Sequence, residues 1–180
     1  MDATAFRACW WDGRDAIMPV ELLAQAVDPK GVALLNPEDS EFLQETGLPE
    51  EAAPFLTFEP DDLGWIPEHA RPPEYDRYVG IGTNGSGDPL VACREGVFVL
   101  NHDDGFSPAF VNCSIASLAQ TLLLFRDFVK ELTSPSGDRP SPVQAKHILI
   151  THLETHDPKA LLDGSMWPGE IDAFETGLQD

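Results

Sequence analysis

The sequence predicts an α+β fold with a central antiparallel β-sheet, arranged as a meander and backed by helices. Four short apolar runs between residues 78 and 111 are separated by clusters of Gly, Asn and Asp, the pattern of strands joined by turns. The last run, residues 109–111, leads directly into a long apolar helix. Because that helix leaves the end of the last strand, we expect it to pack across one face of the sheet.

The strands of the meander are predicted from β-branched and aromatic residues. Their approximate ranges are 78–82, 90–93, 97–100 and 109–111. Glu95-Gly96 is a short turn pair, whereas residues 83–89 and 101–105 form two longer polar tips. A further strand is predicted at residues 55–58, before the meander.

Helices are predicted on both sides of these strands in the chain. Asn36 as N-cap and Pro37 in the first turn begin one helix, and Gly47 ends it. Ser114 caps a longer helix that extends to about Thr133, with apolar residues at spacings of three and four. Shorter helices are predicted over residues 143–156, 158–162 and 167–176.

The first 35 residues are the hardest part of the chain to interpret. Residues 10–13 resemble a strand end and turn, residues 20–27 have helical composition, and residues 28–31 break that helix. Residues 60–73 contain several prolines and are predicted to form loops without helix. A length of 180 residues favours a single domain over residues 1–180.

The chain is strongly acidic, with a net charge of −20. This charge argues against nucleic acid or an anionic membrane as a partner and favours a basic protein, although solubility alone would also explain it. Between residues 38 and 68 the chain carries ten acids and no base, which predicts a local negative field. These acids are Glu38, Asp39, Glu41, Glu45, Glu50, Glu51, Glu59, Asp61, Asp62 and Glu68.

The cysteines and the N-terminus indicate the compartment. Cys9, Cys93 and Cys113 form no CxxC pair, which suits a reducing environment better than a disulfide framework. The first residues show no secretory signal, and the longest apolar stretch is too short to span a bilayer. We therefore expect a cytoplasmic protein.

A GxGxxG pattern formed by Gly80, Gly82 and Gly85 follows a predicted strand. In a dinucleotide-binding fingerprint the third glycine opens a helix, but here residues 86–89 lead into another strand. The glycines are better explained by a turn between antiparallel strands, and no cofactor is predicted.

Three histidines, His147, His152 and His156, suggest a metal site. His152 and His156 share a helix face, but His147 points elsewhere and no third ligand is clearly placed, although Glu154 and Asp157 are nearby. We predict that these histidines are exposed or cap the helix end, and that there is no metal site.

The remaining candidates for catalysis are also weak. Residues 102–105 (His-Asp-Asp-Gly) form a turn, no serine lies in a GxSxG elbow, and Cys113 beside Ser114 is a weak thiolate candidate. No catalytic constellation is present, so the sequence predicts a binding protein rather than an enzyme.

The ordered set of motifs resembles the SUKH superfamily of bacterial immunity proteins, most closely its actinobacterial subfamily. The resemblance covers residues 36–177, and leaves residues 1–35 as an N-terminal addition. Its motifs are Gly47-Leu48-Pro49, residues 55–58, 81–85, 87–89, 96–102 and 110–114, residues 157–161 and Trp167. It implies a SUKH-like α+β fold and a cytoplasmic protein without catalytic residues that neutralises a polymorphic toxin, often a nuclease or nucleic-acid deaminase.

An acidic inhibitor can mimic the phosphates that occupy the basic cleft of such a toxin, and opposite charge speeds association. We therefore expect the contact on acidic loops, with Trp65 or Phe106 as a central aromatic anchor. The acidic residues expected there are Glu59, Asp61, Asp62, Asp103 and Asp104.

Other interpretations of the chain are a regulatory or scaffold module on the same fold, and a metal-dependent enzyme using His152, His156 and Asp157. Self-association through a sheet edge is a further alternative, and the oligomeric state stays open.

Overall fold

The chain is described by a computed structural model over residues 3–12, 22–23, 29–60, 63–64, 66–71, 74–133 and 141–176. Within these residues the fold is α+β, as predicted: a six-stranded antiparallel sheet with helices against it. None of the helices in the described ranges combines the length and apolarity that a membrane crossing requires.

The six strands of the sheet lie side by side in chain order, so each pairs with its sequence neighbour. They are β3 (Glu51–Ala52), β4 (Leu56–Thr57), β5 (Val79–Thr83), β6 (Pro89–Cys93), β7 (Gly96–Asn101) and β8 (Ser107–Asn112). Two further short strands, β1 (Leu22–Leu23) and β2 (Leu48–Pro49), pair with each other. The predicted meander is confirmed as β5 to β8.

The helices flank these strands in the chain, where the capping residues predicted several of their boundaries. They are α1 (Ala3–Asp12), α2 (Pro29–Leu34), α3 (Pro37–Glu45), α4 (Ile115–Thr133), α5 (Pro142–His156) and α6 (Met166–Thr176). Ser114 Oγ accepts a hydrogen bond from the Ser117 N–H at 3.0 Å, which confirms the predicted cap of α4. Ser141 and Gln144 form a capping box at the start of α5.

Both faces of the sheet are covered. On one face, Leu90 and Ala92 of β6 join the main core, which α4 completes with residues such as Leu118 and Leu122. On the other face, Val91 and Cys93 join a second cluster. Its members are Leu63, Ile66, Tyr78, Val91, Cys93, Leu100 and Phe106. Because side chains alternate along a strand, β6 is buried on both sides, and its sequence is a continuous apolar run.

The N-terminal segment differs from the prediction. Residues 10–12 belong to α1 rather than to a strand end and turn, and Phe6 and Trp10 are buried in the main core. Their spacing of four residues puts both on one helix face, and the Phe6 ring lies 5.5 Å from that of Phe42. Packing against α3 and α4 therefore decides the conformation of this segment.

Four other expectations differ from the structure. Residues 29–31, predicted only as a break after the preceding segment, form the first turn of α2, which begins at Pro29. The expectation of no helix in residues 60–73 is wrong at Glu68–Ala70, a single 3₁₀ turn. The strand predicted at residues 55–58 is reduced to Leu56–Thr57. Of the helix predicted at residues 20–27, only Leu22–Leu23 is described, and these residues form a strand.

Candidate partner-binding site

Three turns of the sheet lie together at the same end of its strands. In an antiparallel meander, alternate turns fall at the same end, so the β3–β4, β5–β6 and β7–β8 turns share one end. We name this surface the turn edge and define it as residues 53–55, 84–88 and 102–106. It contains both polar tips that the sequence predicted.

The first polar tip, residues 84–88, is held by the side chain of Asn84. Its Oδ1 accepts hydrogen bonds from the backbone N–H groups of Ser86 at 3.0 Å and Asp88 at 2.9 Å. Gly87 has a φ of 82°, which glycine adopts without strain. Of the three glycines in the GxGxxG pattern, Gly85 lies in the predicted turn between antiparallel strands, whereas Gly80 and Gly82 lie within β5 and pair with β6.

The second polar tip, residues 102–106, is a 3₁₀ turn that ends at Gly105, where φ is 61°. Asn101 Oδ1 accepts a hydrogen bond from the Asp103 N–H at 2.9 Å, and Ser107 Oγ donates one to Asp104 Oδ2 at 2.6 Å. The side chain of Asp103 is 88% exposed. This turn therefore presents two carboxylates to solvent on a fixed backbone.

The two tips are joined by Asp88 and His102. Asp88 Oδ1 accepts hydrogen bonds from the His102 N–H at 2.9 Å and its ring Nδ1 at 2.5 Å, while Asn84 Nδ2 donates to Oδ2 at 2.9 Å. Burial alone would raise the pKa of Asp88, but the hydrogen bonds from His102 and Asn84 together lower it. The bond to Asp88, followed by the charge of Asp103, raises the pKa of His102.

Phe55 lies beside the first tip and was not singled out by the sequence, which placed it in a strand. Its side chain is 74% exposed and its φ is 59°, so it belongs to the β3–β4 turn. A Cβ atom added at Gly85 would lie 2.9 Å from the Phe55 Cβ, which shows how closely the two turns approach. Pro54, directly before it, was the available signal for a turn.

The structure separates the residues that the sequence predicted as partner contacts. Asp103 and Asp104 lie exposed on the turn edge. Glu59 is exposed too, but its N–H bonds to the Ile81 carbonyl at 3.1 Å, which places it along β5 and away from the turns. Asp61, Asp62 and Trp65 lie outside the described residues.

The expectation that Phe106 offers an exposed aromatic anchor needs correction. Phe106 is only 7% exposed and packs in the second cluster with Leu100 and Val91. Its N–H donates to the Asn101 carbonyl at 2.7 Å, closing the turn. Phe106 therefore packs its ring into the core below the β7–β8 turn, and the ring is not available to a partner.

The histidines of α5 form a stacked pair. The rings of His152 and His156 are 4.5 Å apart, and burial, followed by the charge of His156, lowers the pKa of His152. Within the described residues, no three His, Cys, Asp or Glu side chains are grouped in a way that could hold a metal ion. The metal-enzyme interpretation therefore gains no supporting geometry from this part of the chain.

A buried polar cluster connects β8 with the helices behind it. Asp157 Oδ2 accepts hydrogen bonds from Asn112 Nδ2 at 2.9 Å, Cys113 N–H at 2.8 Å and Ser117 Oγ at 2.8 Å. Asn112 Oδ1 accepts a further bond from Trp167 Nε1 at 3.1 Å. Burial, then the Asp157 charge, raises the pKa of Cys113, which disfavours the thiolate suggested by the sequence. The cluster therefore joins β8, α4 and α6 to the residue that ends α5.

The opposite end of the sheet carries a shallow cleft of about 680 Å³ between α2, α3 and the β6–β7 turn. Arg94 bridges it, donating to the Ala33 carbonyl at 3.0 Å, while Asn36 Nδ2 donates to the Arg94 carbonyl at 3.0 Å. Asn36 therefore anchors the turn, and its side chain does not make the predicted capping hydrogen bond to the backbone of α3. Glu41 and Glu45 line this cleft, far from the turn edge.

Comparison with models of protein families gives a match over most of the chain. No curated protein and no solved structure matches the chain. The family model described as SUKH-4 immunity protein matches residues 23–175, which includes the sheet, the turn edge and helices α2 to α5. The resemblance read from the motifs is thereby confirmed at the level of the family, and the chain belongs to the SUKH-4 immunity protein family.

Proposed function

We propose that this protein neutralises a cognate toxin that acts on nucleic acid, a nuclease or a deaminase, in the cytoplasm. Membership of an immunity protein family supports toxin neutralisation. The observation that supports the finer proposal is the charge: −20 over 180 residues, with Asp103 and Asp104 exposed together on the turn edge. The protein acts by binding and needs no catalytic group of its own.

A toxin that acts on nucleic acid needs a basic cleft, because its substrate carries one negative charge per phosphate. Carboxylates can occupy the phosphate positions in that cleft, and the opposite charges speed association at low salt. We place the contact on Asp103 and Asp104, with Glu59, Asp61 and Asp62 as further acidic contacts and Trp65 as an additional aromatic one.

Co-expression with the product of the neighbouring toxin gene tests the proposal. Growth rescue and a co-purifying complex are expected, with an association rate that falls as salt is raised. Charge reversal by Asp103→Lys and Asp104→Lys should slow association and weaken its salt dependence. The matched control is Glu41→Lys with Glu45→Lys, which reverses two exposed acids at the opposite end of the sheet.

Two results would contradict this proposal. Equal effects of the two charge reversals would show that only the overall charge matters. Absence of a toxin gene beside this one, together with a complex formed by an unrelated housekeeping protein, would favour a regulatory or scaffold module on the same fold.

A further inference from the structure

We propose that Phe55 is the aromatic anchor of the toxin interface and enters an apolar pocket that is bordered by basic side chains on the toxin. This inference rests on the proposed function and adds the residue that holds the complex together. Aromatic residues at the centre of an interface, surrounded by a polar rim, commonly carry much of the binding energy.

The exposure of Phe55 is the first observation. The large hydrophobic side chains that are exposed within the described ranges are Val32, Phe55, Val143, Ile148 and Leu162. Phe55 is the only aromatic residue in this group, and it is 74% exposed. A phenylalanine has about 150–250 Å² to bury, so covering it in a complex is strongly favourable.

The second observation is the close contact between Phe55 and the neighbouring turn that carries Gly85. Gly85 leaves room for Phe55, and the turn that carries Gly85 is fixed by the hydrogen bonds of Asn84. The ring therefore projects from a turn that is braced by its neighbour. A residue that is already positioned before binding loses less conformational entropy when the complex forms.

The charge around Phe55 identifies the class of partner. The tip beside Phe55 is joined to the acidic tip by the bond between Asp88 and His102, so Asp103 and Asp104 lie on the same edge. An exposed apolar residue that shares one end of the sheet with two exposed carboxylates fits a toxin surface on which an apolar pocket lies near Lys or Arg side chains. A second copy of this chain is a poor partner for this surface. Two chains of net charge −20 would repel each other, and the dimer would bring their carboxylates together.

The test compares Phe55→Ala with Val143→Ala, which removes an equally exposed side chain (79% exposed) from α5. Binding is measured against a catalytically inactive form of the neighbouring gene's toxin. We expect Phe55→Ala to raise Kd roughly 30-fold or more, mainly through faster dissociation, and Val143→Ala to change it less than about twofold. Unchanged thermal unfolding of both variants will show that the fold is intact.

A second variant, Gly85→Ala, keeps the ring but forces it to move, because the new Cβ would lie 2.9 Å from that of Phe55. It should also weaken binding. Tight binding of the wild type with a Phe55→Ala affinity within about twofold of it would overturn the anchor and leave toxin neutralisation standing. Absence of any wild-type complex would overturn both. A wild-type dimer lost in Phe55→Ala would overturn the toxin as occupant in favour of a second copy.

Discussion

Asp88 Oδ1 accepts two hydrogen bonds from the same residue, one from the backbone N–H of His102 at 2.9 Å and one from its ring Nδ1 at 2.5 Å. Asp88 is buried, and the two residues belong to different turns of the meander. The bond therefore links the two turns directly, in addition to the pairing of β6 with β7. The geometry of the turn edge depends on it.

The first prediction concerns the pH dependence of this pair. The pKa of His102 is raised, mainly by its bond to Asp88, so its contribution to stability is full below its ordinary value of 6.5 and declines as pH rises through the raised pKa. The pKa of Asp88 is lowered, so its contribution is full above 3.8 and is lost on acidification. The pair should stabilise the fold most between these two values.

An NMR titration of the His102 ring checks this prediction. We expect a midpoint above 6.5 in the wild type and a shift back toward that value in Asp88→Asn, which keeps the shape but removes the charge. Asp103, whose Oδ1 lies 3.4 Å from His102 Nε2, needs its own control, Asp103→Asn. A wild-type midpoint at or below 6.5 would contradict the prediction.

The meander could be predicted from sequence because its signals are local. Each strand ends at a Gly, Asn or Asp turn, and the turn chemistry fixes which strands pair. Helix α4 could be predicted equally well, because Ser114 marks its start and the spacing of apolar residues marks its buried face. Local propensity and tertiary packing agree in these elements.

The rest of the site depends on contacts between distant residues. Asp88 meets His102 across 14 positions, and Phe55 meets Gly85 only because alternate turns share an edge. Phe106 was expected to be a surface aromatic beside an acidic turn, but it has a left-handed backbone conformation (φ 60°) and its side chain is buried in the second cluster. The second core cluster that receives it covers a sheet face for which the sequence indicated no partner.

The second prediction concerns Asp157, which is 2% exposed and accepts three hydrogen bonds through Oδ2. Asp157→Ala removes the acceptor that Asn112 Nδ2, the Cys113 N–H and Ser117 Oγ share, and Asn112 keeps only its longer bond to Thr121 Oγ1 at 3.2 Å. We expect a loss of about 3 kcal/mol or more in the free energy of unfolding. Urea denaturation measures it, and Asp163→Ala, an exposed acid nearby in the chain, should change stability by less than about 0.5 kcal/mol.

The third prediction compares two glycines. A Cβ atom at Gly82 would lie 2.1 Å from the Thr57 carbonyl oxygen, so Gly82→Ala must separate β4 from β5. We expect it to cost about 3 kcal/mol or more. A Cβ atom at Gly169 in α6 would meet nothing within 4 Å beyond its own helix backbone, so Gly169→Ala should be neutral or stabilise the helix by up to about 1 kcal/mol.

Thermal and urea unfolding of these two variants measure the difference. Because β4 follows the turn that carries Phe55, Gly82→Ala should also weaken toxin binding, whereas Gly169→Ala should leave it unchanged. Equal stability of the two variants would show that β4 does not pack against β5 as described.

The fourth prediction concerns the reactivity of Cys93. Its side chain is buried in the second cluster, and its sulfur lies 3.1 Å from Glu95 Oε2. Burial, with the hydrogen bond to the Glu95 carboxylate, raises the pKa of this thiol from 9.0 to about 11. The thiolate is the reactive form, so a rise of about two pKa units reduces its fraction roughly 100-fold at neutral pH.

Alkylation of single-cysteine variants measures this difference. With Cys9→Ser and Cys113→Ser in place, Cys93 should react at least about 100-fold more slowly in the folded protein than in urea. A variant that retains only Cys9, which is exposed, should react at similar rates in both conditions. Adding Glu95→Gln to the Cys93 variant removes the carboxylate but leaves the burial, so labelling should become faster yet stay well below the rate in urea. Rapid labelling of Cys93 in the folded protein would show that loop residues such as Leu63 and Ile66 do not close over this face of the sheet.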